Sequence, residues 1–280
     1  MKRRRSAVSG PAPDFRPITV ARTVVTRALD WPERFENGAH YHDRAQLLFA
    51  SEGIMNVTTP EGTWVVPPER AVWVPAGTVH VVRTATRVML RTLYVDPAAA
   101  PDLPTRCGVI NVAPLLRALI LEAMEISPEY PPGGREERLM NLILDEIAEI
   151  PASSGALHLP EPNDPRIRPI VEAIKADPSD TTTSEQWAKR VGASSRTIQR
   201  TFVAETGMSF RAWKRQAILL EALRKLAAGE SVLNVALDLG YDSPSAFIYM
   251  FRRTFGVTPY RYFRSDRLRN AAGSGAAATG

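Results

Sequence analysis

The fold of the C-terminal part follows from two stretches of sequence, WAKRVGASSRTIQRTF at 187–202 and ALDLGYDSPSAFIYMF at 236–251. At a shift of 48 residues Ala188 aligns with Ala236, and Gly192 aligns with Gly240. Beyond the glycine the shift becomes 49, because the second copy has one more residue in its turn. A pattern that recurs in this way predicts two copies of one structural unit.

Each copy has the composition of a helix-turn-helix. Its alanine allows two amphipathic helices to approach closely, and its glycine can adopt the positive φ of a tight turn. Helical period over 210–228 predicts a connecting helix between the copies. The candidate N-caps are Ser184 and Ser231 for the first helices, and Ser194 or Ser195 and Ser243 for the second ones. The predicted core residues are Trp187, Phe202, Trp213, Phe247 and Phe251.

Several motifs make this region similar to a known family. QRxF at 199–202, GYxS at 240–243 and FxxxxGxTP at 251–259 resemble the AraC/XylS family of transcription regulators, and the resemblance spans about residues 169–263. It implies sequence-specific binding to double-stranded DNA. One recognition helix from each copy would enter successive major-groove segments, about one turn or ~34 Å apart.

The resemblance assigns the first recognition helix to residues 195–204. It implies that Arg196, Gln199 and Arg200, which share one helix face, read bases. The chemistry of these side chains fits, because arginine matches N7 and O6 of guanine and glutamine matches N6 and N7 of adenine. This copy is therefore expected to supply most of the sequence readout.

The second recognition helix, Pro244–Phe255, has fewer groups that read bases. Ser245 and Tyr249 occupy the reading positions, and Arg252 and Arg253 are better placed for phosphates, so this copy mainly positions the protein. A solvated helix face is the alternative for the two arginines. Capped helix starts also suit phosphates. The predicted DNA-binding residues are Arg196, Gln199, Arg200, Ser194, Ser195, Ser245, Tyr249, Arg252 and Arg253.

The N-terminal part contains a group of histidines in a β-rich context. Short apolar or alternating runs over 18–95 predict a compact all-β unit. Because side chains alternate along a strand, His40, His42 and Gln46 share a face, and a neighbouring strand can bring His80 beside them. The sequence therefore predicts that three imidazoles and one amide meet inside the unit.

This histidine pattern resembles the two cupin motifs, in which three histidines and a carboxylate bind a divalent metal. Gln46 stands where the carboxylate is expected, which removes one negative charge. Imidazole ligands favour Ni, Zn, Cu, Co or Fe(II) over Mg or Ca. Arg44 is a complication, because an uninterrupted strand would aim it inward, towards a cation.

Two alternatives to a metal remain open at this point. The same polar groups could line a metal-free ligand pocket, or the histidines could be structural and hydrogen-bonded to backbone. The candidate walls of a ligand pocket are Trp64, Trp73, Phe49, Met55 and Tyr94. The simpler interpretation is that these residues belong to the core.

The expected architecture is α+β with two domains. The predicted boundaries are a disordered tail at 1–15, a cupin-like sensor barrel at 16–100, a helical hairpin for dimerisation at 101–150, a linker at 151–165, an all-α double helix-turn-helix DNA-binding domain at 166–266 and a disordered tail at 267–280. The apolar stripes of the hairpin are Leu115, Leu116, Leu119 and Ile120, and Leu139, Leu142, Ile143, Ile147 and Ile150. His158, in the linker, is expected to face solvent or to have no functional role.

Composition sets further limits. The net charge of +5 and the pI near 9.5 suit an anionic partner. Cys107 is the only cysteine, so no intrachain disulfide can form. No stretch approaches the ~18 apolar residues of a membrane-spanning helix, so no membrane partner is expected and the expected location is the cytoplasm.

These observations together predict a transcription regulator, not an enzyme. Its partners would be DNA, a small-molecule or metal effector, a second copy of the chain and RNA polymerase. Residues 65–77 also resemble a cupin-bearing subgroup of the AraC family, some members of which control neighbouring transporter genes. The main rival is a metal-dependent cupin enzyme, a dioxygenase or isomerase, fused to a helical binding module. Against it, no carboxylate occupies the fourth ligand position. A constitutive DNA-binding protein with a degenerate barrel is a third interpretation.

Overall fold

A computed structural model describes residues 18–149 and 157–263. Its described residues form two compact units, one over 18–60 and 64–149 and the other over 61–63 and 157–263. The predicted tails at 1–15 and 267–280 lie outside the described residues. Among the described helices, none is long and apolar enough to cross a membrane.

The first unit is built on two β-sheets. Its strands are β1 (Val24–Trp31), β2 (Ala45–Glu52), β3 (Met55–Thr59), β4 (Gly62–Val66), β5 (Arg70–Val74), β6 (Val81–Thr84), β7 (Val88–Val95) and β8 (Gly108–Asn111). One sheet has the order β1-β7-β2-β5-β8 with antiparallel pairing throughout, and in the other β3 lies between β6 and β4. The prediction of a β-rich N-terminal unit and a helical C-terminal one is confirmed.

Strand β2 shows how the five-stranded sheet separates two environments. Leu47 and Phe49 belong to a core that the sheet forms with two helices, α1 (Pro114–Ala123) and α2 (Arg135–Glu149). Gln46 and Leu48 point to the other face and line a cavity. Because both faces are covered, the strand is apolar along most of its length instead of alternating.

The predicted helical hairpin is present, with a corrected apolar stripe. Leu116, Ile120, Met140, Ile143 and Ile147 are its most buried large apolar residues. Leu115 and Leu142, which were expected in the stripe, are 52% and 41% exposed. The helical periodicity assigned both residues to the buried face, but in each helix it is the next residue, Leu116 or Ile143, that is buried. Ile150 lies outside the described residues.

The second unit is helical apart from one short strand. Its elements are β9 (His158–Pro160), α3 (Arg168–Ala176), α4 (Ser184–Arg190), α5 (Ser195–Thr206), α6 (Phe210–Ala227), α7 (Val232–Asp238) and α8 (Pro244–Phe255). Strand β9 falls inside the predicted linker, where the indole Nε1 of Trp213 donates to the Pro160 carbonyl at 2.9 Å. The prediction that His158 faces solvent is wrong. It is partly buried, and burial lowers its pKa against the opposing effect of a hydrogen bond with the Glu61 backbone.

Helices α4 and α5 form one helix-turn-helix, α7 and α8 form the other, and α6 connects them. Gly192 and Gly240 have φ of 66° and 77°, as the tight turns require. The five predicted core residues are all buried. Ser194, Ser231 and Ser243 are N-caps, accepting hydrogen bonds from the backbone of Thr197, Asn234 and Ala246.

The predicted cap at Ser184 is wrong, because Thr183 is the N-cap of α4. The Thr183 hydroxyl accepts from the Gln186 backbone, and the Gln186 side chain accepts from the Thr183 backbone, which forms a capping box. Ser195, the alternative to Ser194, is the first residue of α5, where its hydroxyl bonds the Glu185 carboxylate at 3.3 Å.

Candidate DNA-binding face and effector cavity

The predicted reading side chains lie together on the outward face of α5. Arg196, Gln199 and Arg200 are exposed, whereas Ile198 and Phe202 are fully buried. This division follows from the 100° advance per residue, which places the arginines and the glutamine opposite the core. The side chains are free of the core and can reach a partner.

The outward face of α8 has a different composition. Ser245, Tyr249, Arg252 and Arg253 are exposed there, and Tyr249 is exposed by 68%. Within the described residues, no carboxylate forms an ion pair with Arg252 or Arg253. Other cations of this unit are neutralised by neighbours, as Lys225 is by Glu230 and Asp238. Within the described residues, Arg196 and Arg200 on α5 likewise form no ion pair with a carboxylate. Both faces therefore keep arginines available for an anion.

The serines at the start of α5 are already engaged. The Ser194 hydroxyl accepts from the Thr197 backbone at 3.0 Å and also bonds the Thr197 hydroxyl at 2.8 Å. Ser195 is within 3.3 Å of both the Ser184 hydroxyl and the Glu185 carboxylate. Their first role is therefore to fix the start of α5, and a phosphate contact by either hydroxyl stays a prediction.

The first unit contains a small cavity of about 20 Å³ beside the histidines. Its lining residues are Leu29, Trp31, Asn37, His40, His42, Gln46, Leu48, His80, Val82, Leu90 and Tyr94. One ligand atom from each of His40, His42 and His80 lies within 4.8 Å of the others. The structure therefore brings together the four residues that the sequence predicted to converge.

Backbone pairing holds the histidines in place. The His40 N–H donates to the His80 carbonyl at 3.1 Å, and the His80 N–H donates to the His40 carbonyl at 2.8 Å. The Gly77 N–H donates to the His42 carbonyl at 2.8 Å. The two sequence patterns thus form one local sheet-like contact, and the ring centroids of His40 and His80 are 4.3 Å apart.

Hydrogen bonds determine which ring nitrogens face the cavity as acceptors. Nδ1 of His40 bonds the Gly38 carbonyl at 3.0 Å, and Nδ1 of His80 bonds the Thr78 carbonyl at 2.9 Å. A carbonyl only accepts, so each Nδ1 carries the proton and each Nε2 of a neutral ring keeps its lone pair. In the described part of the chain, the buried Nε2 atoms of His42 and His80 have no hydrogen-bond partner.

The rings are neutral at pH 7. Burial is the largest of the causes that lower the pKa of His42 to about 4, and the nearby His40, His80 and Arg27 are the others. Burial also lowers the pKa of His80 to about 4, against the opposing effect of its bond to the Thr78 carbonyl. The pKa of His40 is lowered for the same reason. Neutral imidazole is the form that binds metals.

A chain of hydrogen bonds orients Gln46. The Thr92 hydroxyl donates to the Leu47 carbonyl at 2.9 Å, so it can only accept from the Gln46 amide nitrogen, also at 2.9 Å. This fixes Nε2 on Thr92 and leaves Oε1 as the other end of the amide. Oε1 is buried and has no hydrogen-bond partner among the described residues. It is therefore the oxygen ligand that this site offers.

Arg44 does not enter the cavity. It precedes β2, and its guanidinium donates to the carbonyls of Arg22 at 2.6 Å and Val20 at 3.0 Å. The complication expected from strand alternation is therefore removed. A different cation lies beside the cavity wall. The Arg27 guanidinium stacks 5.5 Å from the centre of the ring of Tyr94, which lines the cavity.

The two tryptophans predicted as pocket walls do not line this cavity. Trp73 pairs with Leu47 across β5 and β2, on the face that packs against α1 and α2. Its indole nitrogen donates to the Pro104 carbonyl at 2.7 Å. Trp64 is fully buried in β4. Of the other predicted walls, Phe49 and Met55 are not among the lining residues, whereas Tyr94 is. Trp31 is a second aromatic wall, which the sequence did not indicate.

Two family profiles match the chain. One is described as an AraC-like ligand binding domain and matches residues 26–196, and the other is described as a helix-turn-helix domain and matches residues 187–265. The chain belongs to the AraC family of transcription regulators. In this AraC-family regulator, the β-rich unit is the ligand-binding part and the double helix-turn-helix is the DNA-binding part.

Known relatives are regulators as well. The HTH-type transcriptional regulator NimR of Escherichia coli (strain K12) is 37% identical over 223 residues, which is 80% of this chain and 81% of NimR. The HTH-type transcriptional regulator RipA of Corynebacterium glutamicum is 34% identical over 115 residues, or 41% of this chain and 34% of RipA. A solved structure of ToxT from Vibrio cholerae aligns with 85% of this chain and 94% of its own, at 11% identity and a TM-score of 0.35.

Proposed function

We propose that this AraC-family regulator responds to a divalent transition metal ion held by His40, His42 and His80, with Gln46 as a fourth ligand. The observation that carries the proposal is the set of three neutral imidazoles whose ligand atoms lie within 4.8 Å of one another. Buried polar atoms without partners are costly, and a metal would bind the unpartnered ring nitrogens of His42 and His80 and the unpartnered oxygen of Gln46 at once. The nitrogen-rich set favours Ni, Zn, Cu, Co or Fe(II).

Neighbouring groups of the chain already orient the proposed metal ligands. The carbonyls of Gly38 and Thr78 hold the rings of His40 and His80 in one tautomer, and Thr92 holds the Gln46 amide. Partners of this kind orient metal ligands. A bound ion would link β2 to the segments that carry the histidines, and so favour the conformation in which they are together.

A metal-free effector pocket is the second candidate. It is favoured by the apolar and aromatic part of the lining, which includes Trp31, Leu48 and Tyr94. In this alternative the neutral histidines would hydrogen-bond a small molecule. The experiment below separates the two, because only a metal site responds to an ion alone.

We also propose that the regulator catalyses no reaction. Its relatives are transcription regulators, and the residues lining the cavity include no carboxylate among those that the structure describes. A cupin-type enzyme would need a group for proton transfer beside the metal. The neutral histidines are the proposed ligands, so no histidine or carboxylate of the described lining is left over for that role.

Further partners belong to the same proposal. We expect a homodimer through α1 and α2, where Leu115 and Leu142 are exposed, and contact with RNA polymerase at the promoter. Because the partner is chromosomal DNA, we place the protein in the cytoplasm. We also propose that it controls a neighbouring transporter gene.

The test is a mobility-shift assay with the full-length protein and DNA from upstream of its own gene and of the neighbouring genes. Affinity is measured in chelator and during titration with each of the five metals, for wild type and His42→Ala. His158→Gln is the matched control, because His158 is another partly buried histidine outside the cluster. Metal content is measured in parallel by elemental analysis.

We expect one metal to change wild-type and His158→Gln affinity about tenfold or more, as typical for allosteric coupling, and to leave His42→Ala unchanged. His42→Ala should keep its basal DNA binding. No bound metal and no response in the wild type would overturn the metal proposal and favour the metal-free pocket or a constitutive protein. Turnover of a substrate that is lost with His42 would favour the enzyme.

A further inference from the structure

The outward face of α5 does not end with its polar residues. Val203, one turn beyond Gln199, is 52% exposed. At 100° per residue it falls between Gln199 and Arg200 around the helix axis, opposite the buried Ile198. An apolar side chain therefore lies in the middle of the face predicted to enter the major groove.

The repeat shows that this position is chemically different in the two copies. At the shift of 49 residues, Val203 corresponds to Arg252 and its neighbour Ala204 corresponds to Arg253. All four residues are exposed. The end of α8 thus presents two cations suited to phosphates, whereas the two corresponding positions of α5 carry small apolar groups. Valine has no group that could bind a phosphate or read a polar base edge.

We infer that Val203 contacts the C5-methyl group of a thymine and makes α5 select thymine at one position of the binding site. The thymine methyl is the apolar group that base pairs display in the major groove, and apolar side chains recognise it by contact. Val203 is three residues beyond Arg200, or about 4.5 Å along the helix axis. The thymine therefore lies one or two base pairs from the base that Arg200 reads, since base pairs are ~3.4 Å apart.

The test begins with a binding site selected from random duplexes by the full-length wild-type protein. Each thymine of that site is then replaced singly by deoxyuridine, which removes only the C5-methyl group. Affinities are measured for wild type and Val203→Ala on every duplex. Because Val203 is exposed, the substitution leaves the core intact, and circular dichroism checks the fold.

One thymine should stand out. Replacing this thymine should weaken wild-type binding about fourfold, the factor expected when the burial of one methyl group is lost. In Val203→Ala the same replacement should have little effect, so the two changes are coupled in a double-mutant cycle. Val203→Thr keeps a methyl group and should retain the sensitivity to deoxyuridine. Leu237→Ala, which removes a similarly exposed residue from α7, should behave like wild type.

Three results would overturn the inference. The first is a wild-type protein that tolerates deoxyuridine at every position. The second is a sensitivity to deoxyuridine that persists unchanged in Val203→Ala. The third is a loss for Val203→Ala that is equal on the selected site and on random DNA, which would assign Val203 to the sugar-phosphate backbone.

Discussion

The two helix-turn-helix copies share their interior and differ on their surface. Phe202 and Phe251 are both fully buried, and both recognition helices end at a glycine in the left-handed conformation. The outward faces have no such correspondence, because Arg196 and Arg200 in α5 align with Ser245 and Tyr249 in α8. The first helices differ in the same way, where the exposed Leu233 and Leu237 of α7 replace charged residues of α4.

This difference shows which positions the fold constrains. A close-packed interior requires apolar side chains, so aligned buried positions stay apolar even where their volume changes, as at Ile198 and Phe247. Exposed positions are constrained only by what they bind. The change from charged to neutral side chains on the outward faces fits the two tasks predicted for them, base readout by α5 and positioning by α8.

The largest expected effect tests the shared interior. Phe202→Ala and Phe251→Ala should each lower the free energy of unfolding by about 3–5 kcal/mol, because each leaves a cavity in a fully packed core. Urea denaturation of the full-length protein, followed by circular dichroism, measures both. If one substitution costs less than about 1 kcal/mol, the interiors of the copies are not equivalent.

A smaller effect tests the division of labour. Arg200→Ala should weaken binding to a selected site by about 1–3 kcal/mol and relax preference at one base pair, because a bidentate contact to guanine is lost. Tyr249→Ala, at the corresponding position of α8, should cost less on the same site. Competition with random DNA is the measurement. Equal losses of Arg200→Ala on selected and random duplexes would remove Arg200 from the reading set.

The sequence was most informative where a pattern repeats. The duplicated glycine and phenylalanine spacing predicted the helices, the turns and the buried side chains of the DNA-binding unit. It did not identify the α4 cap, because Thr183 and Ser184 are chemically equivalent candidates. The geometry that decides between them is the capping box with Gln186, three residues after Thr183.

In the ligand-binding unit, strand parity was sufficient for the histidines and not for their surroundings. Alternation placed His40 and His42 with Gln46, and backbone pairing brought in His80. Parity alone does not say which face of a sheet receives helices, so it left Trp73 between pocket wall and core, and the structure places this residue in the core. Nor does it show where a strand begins. Arg44 lies just before β2 and binds backbone carbonyls, outside the alternation that was assumed for it.

The smallest expected effect concerns the arginines of α8. Arg253→Ala should weaken binding to selected and random DNA alike, and it should reduce the slope of log affinity against log salt by about 0.9, the contribution of one phosphate contact. The base preference should not change, because a phosphate carries no sequence information. Arg200→Ala is the matched control, since it should change the preference more than the slope. A salt series from low to moderate ionic strength on both duplexes measures the two quantities together. If Arg253→Ala alters preference at a base pair, α8 reads sequence as α5 does, and the contrast between the copies is one of degree only.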